Sequence, residues 1–141
     1  MSYIPANLRQ LVIARAGNRC EYCGLSQLGQ IATFHIDHVV PMSAGGATDS
    51  ENLALACVSC SLHKAARQGF PDPQTARSTP VLNPRHDRWS DHFRWAGVLL
   101  QGKSATGRAT IAALHLNRPL TLAIREEEYR IGRHPQPGDQ E

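Results

Sequence analysis

Cys20-Glu-Tyr-Cys23 and Cys57-Val-Ser-Cys60 contain all four cysteines of this 141-residue chain. Two pairs with this spacing can bring four thiolates around one tetrahedral zinc ion when the chain reverses between them. Two disulfides are the alternative, but we find no export signal, and a redox pair would need a βαβ pattern that neither pair has beside it. The spacing therefore predicts one structural Zn²⁺ per chain, bound by Cys20, Cys23, Cys57 and Cys60.

A second motif, His35-Ile-Asp37-His38-Val-Val-Pro41, lies between the two cysteine pairs. The β-branched and aromatic residues of 31–40 predict a strand that ends at Pro41. A carboxylate at a strand end is a hard oxygen ligand that suits Mg²⁺, and a neighbouring imidazole, whose ordinary pKa lies near neutrality, can take a proton from water. Hydrolysis of a phosphodiester needs both a cation on the phosphate and a base for the attacking water.

The order of these motifs resembles that of the HNH endonuclease family. This family is the cysteine-bearing branch of the ββα-metal nucleases, which are also called His-Me finger nucleases. The shared positions are the two cysteine pairs, Asp37-His38 before two hydrophobic residues and Pro41, Gly45-Gly46, Asn52-Leu53, and Lys64 after the second pair. The resemblance covers about residues 15–68. It implies an α+β protein with a ββα-metal core, a four-cysteine zinc site and a small C-terminal β and helical extension. It also implies metal-dependent hydrolysis of DNA.

The same resemblance implies a role for each matching residue. His38 would activate water, Mg²⁺ or Mn²⁺ on Asp37 would stabilise the leaving 3′-oxygen, and Asn52 would fix the His38 imidazole by joining two loops. Ser61 departs from the pattern, because the family usually has His or Asn there as a metal ligand. Ser61 is therefore a candidate ligand of the catalytic divalent ion beside Asp37, although a serine hydroxyl is a weaker ligand and could act through a water. His63 lies about 200° further around a helix, so it is a supporting candidate and not a simple substitute.

Other residues are candidates for supporting roles. On a regular strand His35 shares a face with Asp37, and it could be an outer partner of that carboxylate or a strand histidine without such a task. Lys64 could contact a backbone phosphate or be a solvated helix lysine. Further nucleic-acid contacts are expected from Arg67, Arg85 and Arg88.

The chain divides into four predicted segments. These are a nuclease core with the zinc knuckles over residues 1–70, a Pro-rich connector over 71–84, a C-terminal extension over 85–131 and a disordered tail over 132–141. A short β element and two helices are expected in the extension.

The charge of the chain bears on its partners. Fifteen Lys and Arg against twelve Asp and Glu give +3, which alone does not define a nucleic-acid binder, and four thiolates with one Zn²⁺ lower it by two. The expected partner is DNA, most of all double-stranded DNA. Its binding is expected to be weak, salt-sensitive and dependent on where Arg and Lys lie. No apolar run approaches the ~20 residues of a membrane span. We expect no membrane partner and a cytoplasmic location, and a homodimer or larger complex stays open.

Two alternatives to a DNA endonuclease stay open at this point. One is a nucleic-acid-binding zinc module whose catalysis is weakened by Ser61, and the other is an RNA-cleaving enzyme of the same fold. A divalent ion beside Asp37 would favour the enzyme over the binding module.

Overall fold

The computed structural model describes residues 3–136. The described residues form two compact units: the first comprises residues 3–68 and Asn83–Arg85, and the second comprises Gly69–Leu82 and residues 86–136. Most of the stretch expected to be a connector thus belongs to the second unit. Within the described part of the chain, no helix is long and apolar enough to cross a membrane.

The first unit has the element order α-β-β-α. Its helices and strands are α1 (Ala6–Arg15), β1 (His35–His38), β2 (Leu53–Ala56) and α2 (Val58–Lys64). Strands β1 and β2 pair antiparallel, with Asp37 opposite Ala54 and His38 opposite Leu53. Strand β1 is shorter than the strand predicted over 31–40, but it keeps the motif residues. Asp37 and His38 lie at its C-terminal end, where both contact Lys64, the last residue of α2.

The interior of the first unit is small and is built around β2. All four residues of Leu53–Ala56 are buried. The other buried hydrophobic side chains of the unit are Val12, Tyr22, Leu25, Phe34 and Val39, together with the four cysteines. With so few large apolar residues, a metal that joins the cysteines would contribute much of the unit's stability.

In its described residues, the second unit contains two β-hairpins and three helices. Its elements are β3 (Gly69–Pro71), β4 (Ser78–Pro80), α3 (Trp89–His92), β5 (Phe93–Ala96), β6 (Leu99–Gly102), α4 (Ala105–Leu114) and α5 (Pro119–Arg130). Strands β3 and β4 pair with each other, as do β5 and β6. The β element and the two helices expected in the extension are present.

The expected connector contains the β3–β4 hairpin. Its turn is organised by the fully buried Asp72, which accepts hydrogen bonds from the Gln74 amide at 3.0 Å and from the Thr75 hydroxyl at 3.0 Å. Arg108 of α4 pairs with the same carboxylate at 2.9 Å. Pro71 and Pro80 are tolerated because they end their strands. The proline-rich composition therefore marked the ends of two strands within a folded segment.

The tail expected from Gly132 is packed in its described part. His134 is buried, its Nε2 lies 3.0 Å from the Gly97 carbonyl, and its ring meets Trp95 edge-on. Residues 137–141 of that tail lie outside the described residues. The buried guanidinium of Arg125 lies 4.8 Å from the centre of the Trp95 ring. These contacts give the second unit an interior of its own.

Candidate functional site

The four cysteines come together in the first unit. All are buried, and their Sγ atoms lie within 4.8 Å of one another, with 3.7 Å between those of Cys23 and Cys57. Sulfur atoms around a tetrahedral zinc ion with Zn–S near 2.3 Å would be about 3.8 Å apart. The donor set and its spacing therefore fit a zinc ion.

The local turns of both cysteine pairs support that arrangement. The amide of Cys23 donates to Cys20 Sγ at 3.5 Å, and the amide of Cys60 donates to Cys57 Sγ at 3.4 Å. Burial raises the pKa of the Cys20 thiol, so a cation is needed to hold four thiolates together at this point. Because Cys57 is the N-cap of α2, the cluster also fixes where that helix begins relative to β2.

Asp37 projects from β1 toward α2 and is largely buried. Its Oδ2 accepts a hydrogen bond from the Tyr22 hydroxyl at 3.0 Å and lies 3.1 Å from Lys64 Nζ. Burial raises the pKa of Asp37, while the neighbouring Lys64 and Tyr22 act to lower it. Among residues 3–136, no hydrogen bond is found to Oδ1 of this carboxylate. One oxygen is therefore held by the protein, and the other accepts no hydrogen bond from the described residues.

Two of the basic residues expected to contact nucleic acid lie inside the first unit. Lys64 is fully buried, and its ammonium also donates to the His38 carbonyl at 3.3 Å. Arg85 forms an ion pair with Glu21, and only 8% of its side chain is exposed. Both are corrections to the predicted phosphate contacts, because each cation is used within the protein. Arg67 and Arg88 are exposed, as a phosphate contact requires.

His38 and Asn52 are tied to the loop between β1 and β2. His38 Nε2 lies 2.8 Å from Thr48 Oγ1. The Asn52 amide accepts from the Val40 amide and donates to the carbonyls of Val40 and Ala47, each at 2.9 Å. Asn52 thus joins the two sides of the loop, as expected for it. Thr48 was missed from the sequence, since a lone hydroxyl in a loop carries no recognisable spacing.

Gly46 allows this loop to close over Asn52. A Cβ at position 46 would lie 1.7 Å from the Val40 carbonyl oxygen and 2.8 Å from Asn52 Nδ2. Any side chain there would force the loop away from the end of β1. The second glycine of the Gly-Gly pair is therefore required by close backbone approach.

His35 and Ser61 form a pair that the sequence did not predict. His35 Nδ1 lies 2.9 Å from Ser61 Oγ, joining β1 to α2 beside Asp37. His63 does not share in this contact, because its Nδ1 lies 2.8 Å from the Ser59 carbonyl on the same helix. The expectation that His63 would not substitute for residue 61 agrees with this geometry.

The segment that contains the cysteine cluster, Asp37 and His38 also matches a known protein family. Residues 20–67 match the family model described as HNH endonuclease. Residues 20–67 are a domain of the HNH endonuclease family. The HNH domain contains the cysteine cluster, Asp37, His38, Asn52 and Ser61, and all of the second unit lies beyond it.

A distant relative extends the likeness beyond the HNH domain. The chain is 24% identical over 113 residues to the Septu protein PtuB of Bacillus thuringiensis, a match that covers 79% of this chain and 41% of PtuB. The chain thus spans less than half the length of that relative. No solved structure matches the chain.

We expect Lys64→Met to destabilise the protein by about 3 kcal/mol at neutral pH, because it leaves the Asp37 carboxylate buried without its cation. In the variant, the pKa of Asp37 should be still higher. The loss of stability relative to the wild type is therefore fully present above that pKa and becomes smaller as the pH falls through it. Urea unfolding at about pH 8 and about pH 5.5 measures both effects. Lys103→Met, which removes an exposed lysine, is the control. Equal deficits at the two pH values would contradict the expected protonation of Asp37 between them.

Proposed function

We propose that the HNH domain is a metal-dependent endonuclease that hydrolyses DNA phosphodiester bonds. The observation that carries the proposal is the end of β1, where Asp37 and His38 are consecutive residues: Asp37 keeps one carboxylate oxygen without a hydrogen bond from residues 3–136, and the His38 imidazole is bound to Thr48. A cation ligand and a base within one residue of each other are the two groups that such hydrolysis needs.

His38 is the general base in this proposal. If its Nε2–H is donated to Thr48 Oγ1, the lone pair stays on Nδ1, where it can take a proton from water. Asn52 keeps the His38 backbone in place by joining Val40 to Ala47 across the loop. If the loop between β1 and β2 moved away, Thr48 would move with it and the His38 ring would lose its hydrogen bond. Asn52 is therefore a positioning residue.

Asp37 and the neighbouring α2 would hold the divalent ion, Mg²⁺ or Mn²⁺. The Tyr22 hydroxyl and Lys64 orient the carboxylate through Oδ2 and leave Oδ1 for the ion. Ser61 lies on the same side of α2 as Lys64, one helical turn earlier. When bound, the ion supplies a Lewis acid for the phosphate and the leaving 3′-oxygen.

Nucleic-acid contact would come from exposed basic residues. Arg67, just beyond α2, and Arg88, in the second unit, keep this role, whereas the buried Lys64 and Arg85 lose it. With few exposed cations in the HNH domain, binding should be weak and should fall steeply with salt.

A second candidate function is a nucleic-acid-binding module without catalysis. Ser61 favours it, because a hydroxyl stands where the resembled family has an imidazole or amide ligand. A divalent ion would then bind too weakly to assist cleavage.

Nicking of a supercoiled plasmid separates these functions. The zinc-loaded protein is incubated with plasmid in Mg²⁺, in Mn²⁺ and in EDTA, beside single-stranded DNA and RNA substrates. The endonuclease proposal predicts nicks with Mg²⁺ or Mn²⁺ and none with EDTA. DNA binding in a gel-shift assay without cleavage in any metal would favour the binding module, and cleavage of RNA alone would favour the ribonuclease.

A further inference from the structure

We propose that His35, through Nε2, supplies the nitrogen ligand of the catalytic divalent ion, and that Ser61 orients the His35 ring without binding the ion itself. This inference rests on the proposed nuclease function. It replaces Ser61 as a ligand by a residue two positions before Asp37 on the same strand.

The hydrogen bond between His35 and Ser61 carries the inference. Histidines that bind metals usually donate their other ring N–H to an oxygen, which fixes the tautomer and the orientation of the ring. His35 Nδ1 has such an oxygen in Ser61 Oγ, at 2.9 Å. Elsewhere in residues 3–136, no partner is found for His35 Nε2, and the residue is exposed. The ring is therefore held on one side and open to a ligand on the other.

The strand places this nitrogen beside the carboxylate that would share the ion. His35 and Asp37 are two residues apart on β1, so their side chains leave the same face. Each meets α2: His35 contacts Ser61, and Asp37 contacts Lys64, three residues further along the helix. His35 Nε2 and Asp37 Oδ1, the two atoms without a hydrogen bond from residues 3–136, thus belong to neighbouring side chains on the same face of the strand.

The size of Ser61 agrees with this assignment. The short hydroxyl side chain lets the His35 ring approach α2 to hydrogen-bond distance. The nitrogen donor that the resembled family places on the helix is, in this chain, provided by the strand.

Because Lys64 is buried beside Asp37, a nitrogen ligand would raise the affinity of the site for a divalent ion. Its ammonium lies 3.1 Å from Asp37 Oδ2 and cancels much of the charge with which that carboxylate would attract a divalent ion. A neutral imidazole adds affinity without adding charge, and it favours later first-row metals over Mg²⁺. The site should therefore prefer Mn²⁺ to Mg²⁺.

The test is pulsed electron paramagnetic resonance of Mn²⁺ added to the full zinc-loaded chain, with Mn²⁺ affinity measured on the same samples. In the wild type we expect the signature of a directly bound ¹⁴N. His35→Ala should lose that signature and weaken Mn²⁺ binding by about tenfold or more. Ser61→Ala should keep the nitrogen and show a smaller loss of affinity. His63→Ala, which removes a nearby imidazole bonded to Ser59, is the matched control and should change neither.

A double variant, His35→Ala with Ser61→His, moves the imidazole from the strand to the helix and should regain the ¹⁴N signature. Zinc content and circular dichroism check that each variant is folded, and His35→Gln provides a second substitution if His35→Ala is not. A ¹⁴N signal that persists in the folded His35 variant would overturn the inference. A wild type that nicks DNA with Mn²⁺ but shows no bound nitrogen would overturn this inference and leave the proposed nuclease function standing. A wild type that neither binds Mn²⁺ nor nicks would overturn the proposed function as well.

Discussion

The Cys57→Ser variant is expected to lose its zinc and to be insoluble or molten. Serine is nearly the same size as cysteine, so the change removes a metal ligand without opening a cavity. In small zinc modules the binding energy of the metal is also folding energy, of order ~10 kcal/mol, which is comparable to the whole stability of a domain. Cys57 is also the N-cap of α2, and because serine is itself a favourable N-cap, the expected loss comes from the missing metal ligand. Metal analysis and circular dichroism measure the result.

Leu62→Ala is the control for that experiment. Leu62 lies on the same helix, but it is 68% exposed and contributes little to the core. This variant should keep one equivalent of zinc and its fold. A soluble, folded Cys57→Ser protein, or a wild type purified without chelator that holds less than about half an equivalent of zinc, would count against the site.

The His38→Ala variant is expected to keep zinc and fold but to nick DNA about 10²–10⁴-fold more slowly, which is the usual contribution of a general base. The side chain contacts Thr48 at the edge of the loop and is not part of the core, so stability should change little. Initial nicking rates in Mn²⁺ measure the effect.

An exposed histidine outside the HNH domain serves as the control for His38. His86→Ala removes an imidazole from the second unit and should leave the nicking rate unchanged. If His38→Ala cleaved as fast as the wild type, His38 would have no part in the reaction, and a contaminating nuclease would have to be sought.

The parts of the fold that depend on short-range pattern were predictable from the sequence. The spacing of the four cysteines predicted their clustering, and the structure brings their sulfur atoms together. The run before Pro41 predicted a strand that bears Asp37 and His38, although β1 is only four residues long. The order of the motifs predicted the HNH family, which the family model confirms over residues 20–67.

The contacts that the sequence did not predict join residues far apart in the chain. Lys64 and Arg85 look like surface cations until their acidic partners are known, and Glu21 lies 64 residues from Arg85. The bond between His35 and Ser61 spans 26 residues and depends on how α2 crosses β1. No local spacing encodes such pairs, so a position that matches a family motif can be identified while its contacts cannot.

The chemistry of the DNA ends tests the proposed hydrolysis most directly. Plasmid nicked by the zinc-loaded protein in Mn²⁺ is treated with DNA ligase, without prior treatment by a kinase. Attack of water on phosphorus with departure of the 3′-oxygen leaves a 5′-phosphate and a 3′-hydroxyl, so the ligase should reseal the nicks and restore closed circles. Nicks that the ligase cannot reseal, or nicks that form equally well in EDTA, would contradict metal-dependent hydrolysis at Asp37 and His38.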